Sequence, residues 1–209
     1  MSLTVVSAPA YEPVSLAEAK EWLRLSSADT GHDGVIRLLI QAMREMAENL
    51  THRAFVTRTL RITMEDWPRD RQGRVRFRLP FAPLQGVTSF QYRDTNGDLQ
   101  TLATDQYDVY THCEPGLVVP AYNVTWPTIR SQPDALQITF TAGYASGSPT
   151  DEAAAQEVLP ASLRVWMEAK LGTLFEQREQ LVIGVSVSPL PRDFTDALLD
   201  PLVVGTRLA

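Results

Sequence analysis

The feature that most constrains the fold is a change in the spacing of apolar residues near Phe55. Before this residue, "DGVIRLLIQAMREMAENLTHR" places apolar residues three or four positions apart, which predicts a long amphipathic helix. After it, "VTRTLRITM" alternates apolar and polar residues, which predicts a strand with one buried face. The chain is therefore expected to combine helices with a sheet. The apolar positions of the long helix are Val35, Leu38, Leu39, Ala42, Met43, Met46, Ala47 and Leu50.

Two further segments predict helices that complete a helical core. In "EPVSLAEAKEWLRL", Ser15 is positioned as an N-cap, and Glu18 three residues later completes a capping box. In "LPASLRVWMEAKLGTLFEQRE", Pro160 suits a first turn, and Gly172 is expected to mark close packing of another helix. Residues 15–53 and 158–178 are thus assigned to the helical core. The last helix has an apolar face made of Leu163, Trp166, Met167, Leu171, Leu174 and Phe175, with Lys170 as its snorkelling member.

The segment between these helices, residues 54–146, predicts an inserted antiparallel β module. "RVRFRL", "YDVY", "GLVVP" and "ALQITFTAGY" are short strand patterns, and Asn96-Gly97 predicts a hairpin because both residues accept positive φ. Residues 1–14 are expected to form an extended arm, and residues 179–209 an extended, proline-broken tail. The predicted fold class is α+β, with two N-terminal helices and one C-terminal helix forming a core that the β module interrupts.

Charge and composition restrict the classes of function. A formal net charge of -6 argues against a dedicated nucleic-acid binder, although an acidic lumen would let DNA slide past. Cys113 is the one cysteine, so no internal disulfide or cysteine-built zinc site is expected. No apolar run has the length of a membrane-spanning helix, and the start has no basic and apolar regions typical of a signal peptide.

Motifs that carry catalysis are missing from the sequence. "GYASG" places Ser146 one position too late for a nucleophile elbow, so a loop is the simpler interpretation. His112 and Cys113 are neighbours, which favours a turn between strands over a reactive thiolate pair. Asp105 and Asp108 lack a third ligand or a phosphate-binding glycine loop. The sequence predicts no enzyme, no cofactor and no metal site.

A basic cluster in "WPRDRQGRVRFRLPFAPLQGV" stands out in this acidic chain. The alternation predicts that three of its arginines share one face of a strand, while the other two lie in the preceding turn. Three interpretations are open: a solvated hairpin face, a contact with carboxylates of a neighbouring subunit, or a contact with DNA phosphate. The subunit contact is favoured over DNA because Trp67 is the one obvious stacking aromatic nearby. The cluster consists of Arg69, Arg71, Arg74, Arg76 and Arg78.

The C-terminal tail is rich in apolar residues although prolines interrupt it. Disordered tails are normally depleted in such residues, so two alternatives follow. The tail packs on its own core, or it becomes ordered by docking on a partner. The candidate docking residues are Leu190, Phe194, Leu198, Leu199 and Leu202.

The order of these segments resembles the head–tail connector (adaptor) proteins of tailed bacteriophages, which have relatives in prophages and gene transfer agents. The resemblance covers roughly residues 13–179. Its motifs are "LAEAK" in the first helix, "LP-x-x-PL" at residues 79–84, "Y-x-D-x-x-G" at residues 92–97 and "AGY" at residues 142–144. Each motif is weakly specific, and their order and spacing together are distinctive.

The resemblance implies a non-enzymatic protein, made in the bacterial cytoplasm, that forms a ring of about a dozen copies under the portal of a virion or phage-like particle. It implies that the ring extends the DNA channel without sequence-specific binding and offers a platform to the next tail component, a stopper or tail terminator. The C-terminal segment would then dock on the portal. No membrane partner is implied.

A second class of function is kept beside this one. The chain could be a tail or baseplate protein whose β module binds a ligand or another tail component. That alternative predicts a concave, aromatic-lined site on the β module and little dependence on the tail.

Overall fold

The computed structural model describes residues 1–144, 156–176 and 195–205. The chain divides into two compact units. The β unit comprises Met1–Ala10, His52–Ser146 and Val204–Ala209, and the helical unit comprises Tyr11–Thr51 and Gly147–Val203. Helices and antiparallel strands are both present, which confirms the predicted α+β class.

The β unit contains eight strands among the described residues. Each is short, and turns or irregular loops separate most of them. The strands are β1 (Ser2–Ser7), β2 (Arg58–Met64), β3 (Phe77–Leu79), β4 (Leu84–Arg93), β5 (Leu99–Thr101), β6 (Tyr107–Tyr110), β7 (Gly116–Pro120) and β8 (Leu136–Ala142).

These strands form two antiparallel sheets. The larger has five strands in the order β1-β2-β8-β4-β5, and the smaller has three in the order β3-β7-β6. In the larger sheet, Leu60 pairs with Phe140 and Ile62 with Ile138, and all four side chains are buried. The alternating residue Arg61 is only half-buried, as the period-two pattern predicts.

Both sheets contribute to one hydrophobic core. At its centre, Phe90 contacts the aromatic rings of Trp67, Phe77, Tyr107 and Trp126 at centroid distances of 5.3 to 5.9 Å. The two indole N–H groups are satisfied: Trp67 Nε1 donates to the carbonyl of Pro127 at 3.1 Å, and Trp126 Nε1 to that of Gln106 at 2.8 Å. The polar ends of these large rings therefore carry no unpaired donor into the core.

The β4–β5 hairpin differs in detail from the prediction. Gly97 has a positive φ of 97°, whereas Asn96 does not lie among the residues with positive φ. The reason is Asp94, whose Oδ1 accepts hydrogen bonds from the backbone N–H groups of Asn96, Gly97 and Asp98 at 2.9 to 3.0 Å. An aspartate that caps the loop in this way fixes a longer turn than the two-residue turn that Asn-Gly predicts.

The N-terminal residues begin as a strand. β1 pairs with β2 at the edge of the larger sheet, and all six of its residues are exposed. The extended conformation expected for the arm is thus stabilised by backbone hydrogen bonds with β2.

Three helices of the helical unit lie entirely within the described residues. They are α1 (Leu16–Trp22), α2 (Asp33–Thr51) and α3 (Ala161–Glu176). The predicted capping box is present, since Ser15 Oγ accepts from the Glu18 N–H at 3.2 Å and Glu18 Oε2 accepts from the Ser15 N–H at 2.9 Å. The core of this unit includes Ile36, Ile40, Met43, Ala47, Leu163, Trp166, Met167 and Leu171.

α2 buries a different face from the row of apolar residues that the sequence suggests. Met43 and Ala47 are buried as expected, but Arg44 and Glu48 are buried beside them. Arg44 Nε donates to Glu12 Oε2 at 2.8 Å and Arg44 Nη1 to Glu48 Oε2 at 3.0 Å. Burial alone would lower the pKa of Arg44, but its bonds to Glu12 and Glu48 raise it above the ordinary value. The paired charges let α2 turn this side inward.

Candidate assembly surfaces

The basic cluster lies on a hairpin that ends in an exposed loop. Arg76 N–H donates to the carbonyl of Pro68 at 3.0 Å, and Asp70 N–H donates to that of Arg74 at 2.8 Å. Gly73, with a φ of 76°, provides the left-handed residue of the loop. The regular strand is shorter than "RVRFRL" predicts, because the pairing from Pro68 to Arg76 is hairpin-like and β3 begins at Phe77.

One carboxylate organises the loop of this hairpin. Asp70 accepts from the backbone N–H groups of Gln72 and Arg74 at 2.9 Å and from Arg74 Nε at 2.8 Å. Arg76 Nε lies 3.4 Å from the same carboxylate. Desolvation would raise the pKa of Asp70, but the bonds from Arg74 and Gln72 hold it below its ordinary value. Asp70 therefore stays ionised and neutralises part of the cluster.

The arginines alternate with buried residues as the sequence predicts. Arg74 and Arg78 are exposed and Arg76 is half-buried, whereas the intervening Phe77 and Leu79 are buried. Arg69 and Arg71 are also exposed. Within the described part of the chain, Arg71 and Arg78 form no ion pair, so these two guanidinium groups have their full hydrogen-bonding capacity for another molecule. A subunit contact or a DNA contact through this cluster stays a prediction.

A small apolar cleft lies beside the arginine face. Arg78, Phe81 and Pro115 line it together with Val204 and Gly205, and its volume is about 160 Å³. Val204 is buried there although it belongs to the C-terminal segment. The end of the described chain thus packs on the β unit.

The preceding part of the tail packs within the helical unit. It forms two 3-10 turns, Asp196–Leu198 and Asp200–Leu202. Asp196 Oδ1 accepts from Trp166 Nε1 at 2.9 Å and lies 3.1 Å from Lys170 Nζ, which anchors the turns to α3. Of the candidate docking residues, Leu199 is 3 % exposed, Leu198 and Leu202 are half-buried, and Leu190 and Phe194 lie outside the described residues. Docking of this tail on a portal stays a prediction.

Sequence reasoning missed a cleft between α1 and α3. Its volume is about 810 Å³, and Trp22 on its wall is 48 % exposed. A Cβ on Gly172 would lie 3.5 Å from Trp22 Nε1, so Gly172 faces an indole ring rather than the backbone of another helix. Burial, and secondarily the charge of Glu18, raise the pKa of Glu168 above its ordinary value, although Arg164 opposes this. The acidic lining residues come from both helices: Glu18 and Glu21 from α1, and Glu168 and Glu176 from α3.

The residues considered for catalysis do not form a site in the described part of the chain. His112 and Cys113 lie in the turn between β6 and β7, as the simpler interpretation predicts, and the His112 ring packs edge-on against Tyr110. Asp105 lies in a 3-10 turn and Asp108 is exposed on β6, while Ser146 lies outside the described residues. Across residues 1–144, 156–176 and 195–205, no three metal-binding side chains come together.

The same described ranges hold no helix long and apolar enough to span a bilayer. This result concerns helices alone.

Comparison with known proteins gives a specific structural likeness. The chain resembles a chain in the neck of an empty gene transfer agent (GTA) particle computed with C6 symmetry, with a TM-score of 0.74 and 22% identity. It also resembles chains in the virion of a native GTA particle, with a TM-score of 0.71 and 23% identity, and in the neck of a native GTA particle computed with C12 symmetry, with a TM-score of 0.67 and 22% identity. Each likeness covers 98% of this chain and 96% of the other.

Neither a family model nor a curated protein matches the sequence. The likeness therefore establishes the fold, which both chains share over nearly their entire lengths.

Proposed function

We propose that this chain is a structural component of the neck of a gene transfer agent or related phage-like particle, acting as its head–tail adaptor. One observation carries the proposal: the fold match to a GTA neck chain extends over 98% of this chain and 96% of that one. A likeness of both complete chains is a stronger argument than a shared domain, because the arrangement of the two units in sequence is also shared. The lack of a catalytic cluster in the described residues is compatible with a role in assembly.

In this role, about a dozen copies form a ring under the portal protein. The C6 and C12 symmetries of the similar necks support this number, because twelve copies satisfy both. The ring continues the channel for packaged DNA and offers a platform to the next tail component. A chain of net charge -6 suits a channel through which DNA passes without being held.

Two surfaces are assigned to this assembly. The arginine hairpin contacts carboxylates of the neighbouring copy, with Arg71 and Arg78 as the cluster members that form neither an ion pair nor a side-chain hydrogen bond among the described residues. The C-terminal segment reaches the portal through its less buried residues, since Leu199 is already covered within its own unit. The protein needs no cofactor for either contact.

The first experiment is quantitative mass spectrometry of DNase-resistant particles from the host. The number of copies of this chain is measured relative to the major capsid protein. About a dozen copies per particle are expected, and a chain absent from purified particles would end the proposal. A cytoplasmic host protein of similar abundance serves as the control for contamination.

The arginine contact is tested by reversing charge on the hairpin. Arg71→Glu combined with Arg78→Glu is expected to block completion of particles while the purified subunit stays folded. The matched control is Arg37→Glu combined with Arg130→Glu, two exposed arginines outside the hairpin that change net charge equally. Normal infectious or transducing particles from the hairpin variant would exclude the contact.

The alternative function, a tail or baseplate protein with a ligand-binding β module, receives less support. It requires aromatic side chains around a concave site, and the aromatic cluster around Phe90 is buried in the core. Removing residues from 189 onward separates the two functions, since assembly should fail for an adaptor and survive for the alternative. Circular dichroism must show that the truncated chain is folded, because the truncation also removes Leu199 and Val204, which are buried.

A further inference from the structure

α2 carries a row of exposed apolar side chains along its whole length. Four of the five are large, and their exposed fractions are 51% for Val35, 66% for Leu38, 45% for Met46 and 47% for Leu50. Ala42, in the middle of the row, is exposed too. Spacings of three and four residues place all five on one side of the helix, and we call this row the α2 stripe. At 1.5 Å per residue, a helix of 19 residues presents a surface about 28 Å long.

The α2 stripe is separate from the face that α2 buries within its unit. Ile36, Ile40 and Met43 fill that inner face. The polar side of the helix is narrow and consists of residues such as Arg37, Gln41 and Glu45, which are exposed. A surface helix normally has one apolar face, so α2 has an additional one. Single exposed apolar residues need no explanation, but a continuous row of them indicates a contact surface.

A second copy of this chain is the occupant that the observations favour. Copies of an acidic chain repel each other, since each carries a net charge of -6. An uncharged surface allows two copies to approach with the least electrostatic cost. The necks that share this fold are computed with C6 and C12 symmetry, which repeats each of their chains around one axis. In a closed ring each copy contacts the next through a different patch, so every copy can present its α2 stripe and receive another.

We propose that the α2 stripe is a subunit interface, packed against a second copy of this chain in the ring. The inference rests on the proposed function for its ring. It adds a contact that differs from the arginine hairpin in chemistry and in position, because it lies on the helical unit. Burial of apolar surface provides the attraction between the two copies, and the arginine contact fixes how the copies are aligned with each other.

Charged substitutions in the stripe provide the test. Leu38→Glu combined with Met46→Glu places two carboxylates in the contact, while Arg37→Gln combined with Gln41→Glu changes the net charge by the same amount on the exposed polar side of the same helix. Copies per DNase-resistant particle are expected to fall at least about tenfold for the stripe variant, as burial of unpaired charge in an interface requires. The matched control is expected to be incorporated like the wild type.

Two results would overturn the interface. The first is incorporation of the stripe variant at the wild-type level. The second is a large decrease in the urea midpoint of the purified stripe variant relative to its control. That decrease would mean that the stripe residues are packed within their own copy.

A photo-crosslinking residue at position 38 identifies the occupant directly and separates the two proposals. It is placed in the full chain, and crosslinks are mapped by mass spectrometry in particles and in the concentrated purified protein. Crosslinks between two copies support the interface. If the chain proves absent from particles, the proposed function is excluded, but crosslinks in the concentrated purified protein still test the interface. The interface between copies is excluded if position 38 crosslinks to a portal or another particle protein. It is also excluded if no crosslink to a second copy forms.

Discussion

The β unit packs a cluster of large aromatic side chains around Phe90 in its interior, whereas the helical unit has a continuous row of exposed apolar side chains on the outer side of α2. Phe90 and its four aromatic neighbours are buried, and their N–H groups are satisfied by nearby carbonyls. In the helical unit, Arg44 and Glu48 occupy interior positions while Leu38 is largely exposed. The comparison teaches that the aromatic cluster is closed within a single copy, whereas the α2 stripe is left exposed in a single copy and, by our proposal, is covered by a second one.

The largest effect is expected in the core of the β unit. Phe90→Ala removes a side chain that packs against four aromatic rings, and the cavity should lower the free energy of unfolding by about 4 kcal/mol. Urea denaturation of the purified chain measures it. Tyr122→Ala, at a side chain that is 90% exposed, should change little. Similar stabilities for both variants would mean that this core is not closed in one copy.

A somewhat smaller loss is expected from the buried ion pair of the helical unit. Arg44→Met leaves Glu48 buried without its guanidinium partner, which should cost about 3 kcal/mol. Adding Glu48→Leu should recover part of the stability because it removes a buried carboxylate that has lost its guanidinium partner. Arg37→Met, on the exposed side of α2, is the control in the same urea experiment. Full stability in Arg44→Met alone would contradict the network.

The turn at Asp94 should respond to pH. The hydrogen bond from the Gln100 side chain lowers the pKa of Asp94 most. Desolvation opposes this, and hydrogen bonds from three backbone N–H groups lower the pKa further below its ordinary value. A carboxylate whose folded pKa is depressed stabilises the fold above its unfolded pKa and loses this effect as pH falls through the folded pKa. Asp94→Ala should therefore be less stable than wild type at pH 7, with a smaller decrease than either core variant.

Thermal melts of Asp94→Ala and of the wild type at pH 7 and below pH 3.8 test this pH dependence. The difference in Tm between the two proteins should be smaller at the lower pH. Asp108→Ala, at an exposed position of β6, is the control. A difference in Tm that is the same at both pH values would show that the charge of the Asp94 carboxylate does not stabilise the turn.

The smallest effect is expected on the outer side of α2. Leu38→Gln should leave the free energy of unfolding of the isolated subunit within about 0.5 kcal/mol of wild type, because its side chain is mostly in water. Ile36→Ala, two residues away and fully buried, should be clearly destabilising in the same experiment. Equal losses for the two variants would remove the distinction between an inner and an outer apolar face.

Local features of the fold follow well from sequence. The capping box needs only Ser15 and Glu18, three residues apart, and the alternation in β2 needs only its own seven residues. The orientation of α2 could not be predicted in this way. Periodicity shows several apolar rows, and the choice of the buried one depends on Glu12, 32 residues before Arg44. The Asn96-Gly97 turn likewise depends on the side chain of Asp94.

The candidate surfaces also differ in how much of each could be predicted from local sequence. The arginine hairpin is contiguous in sequence, so its exposed alternation could be predicted, but the pairing of Arg74 and Arg76 with Asp70 needed the geometry of the loop. The cleft beside Trp22 combines residues near positions 20 and 170, which no local pattern connects. The α2 stripe was visible as a pattern, and only the three-dimensional packing revealed which of its residues face solvent.

The division of the chain between the units has a consequence for its synthesis. The helical unit joins Tyr11–Thr51 to a segment that begins after the β unit, so α2 leaves the ribosome well before α3 can cover its inner face. During that interval both apolar sides of α2 are exposed on the nascent chain, and the β strands are still being translated. The outer side remains exposed after α3 has packed, so within one copy α2 passes from two exposed apolar sides to one.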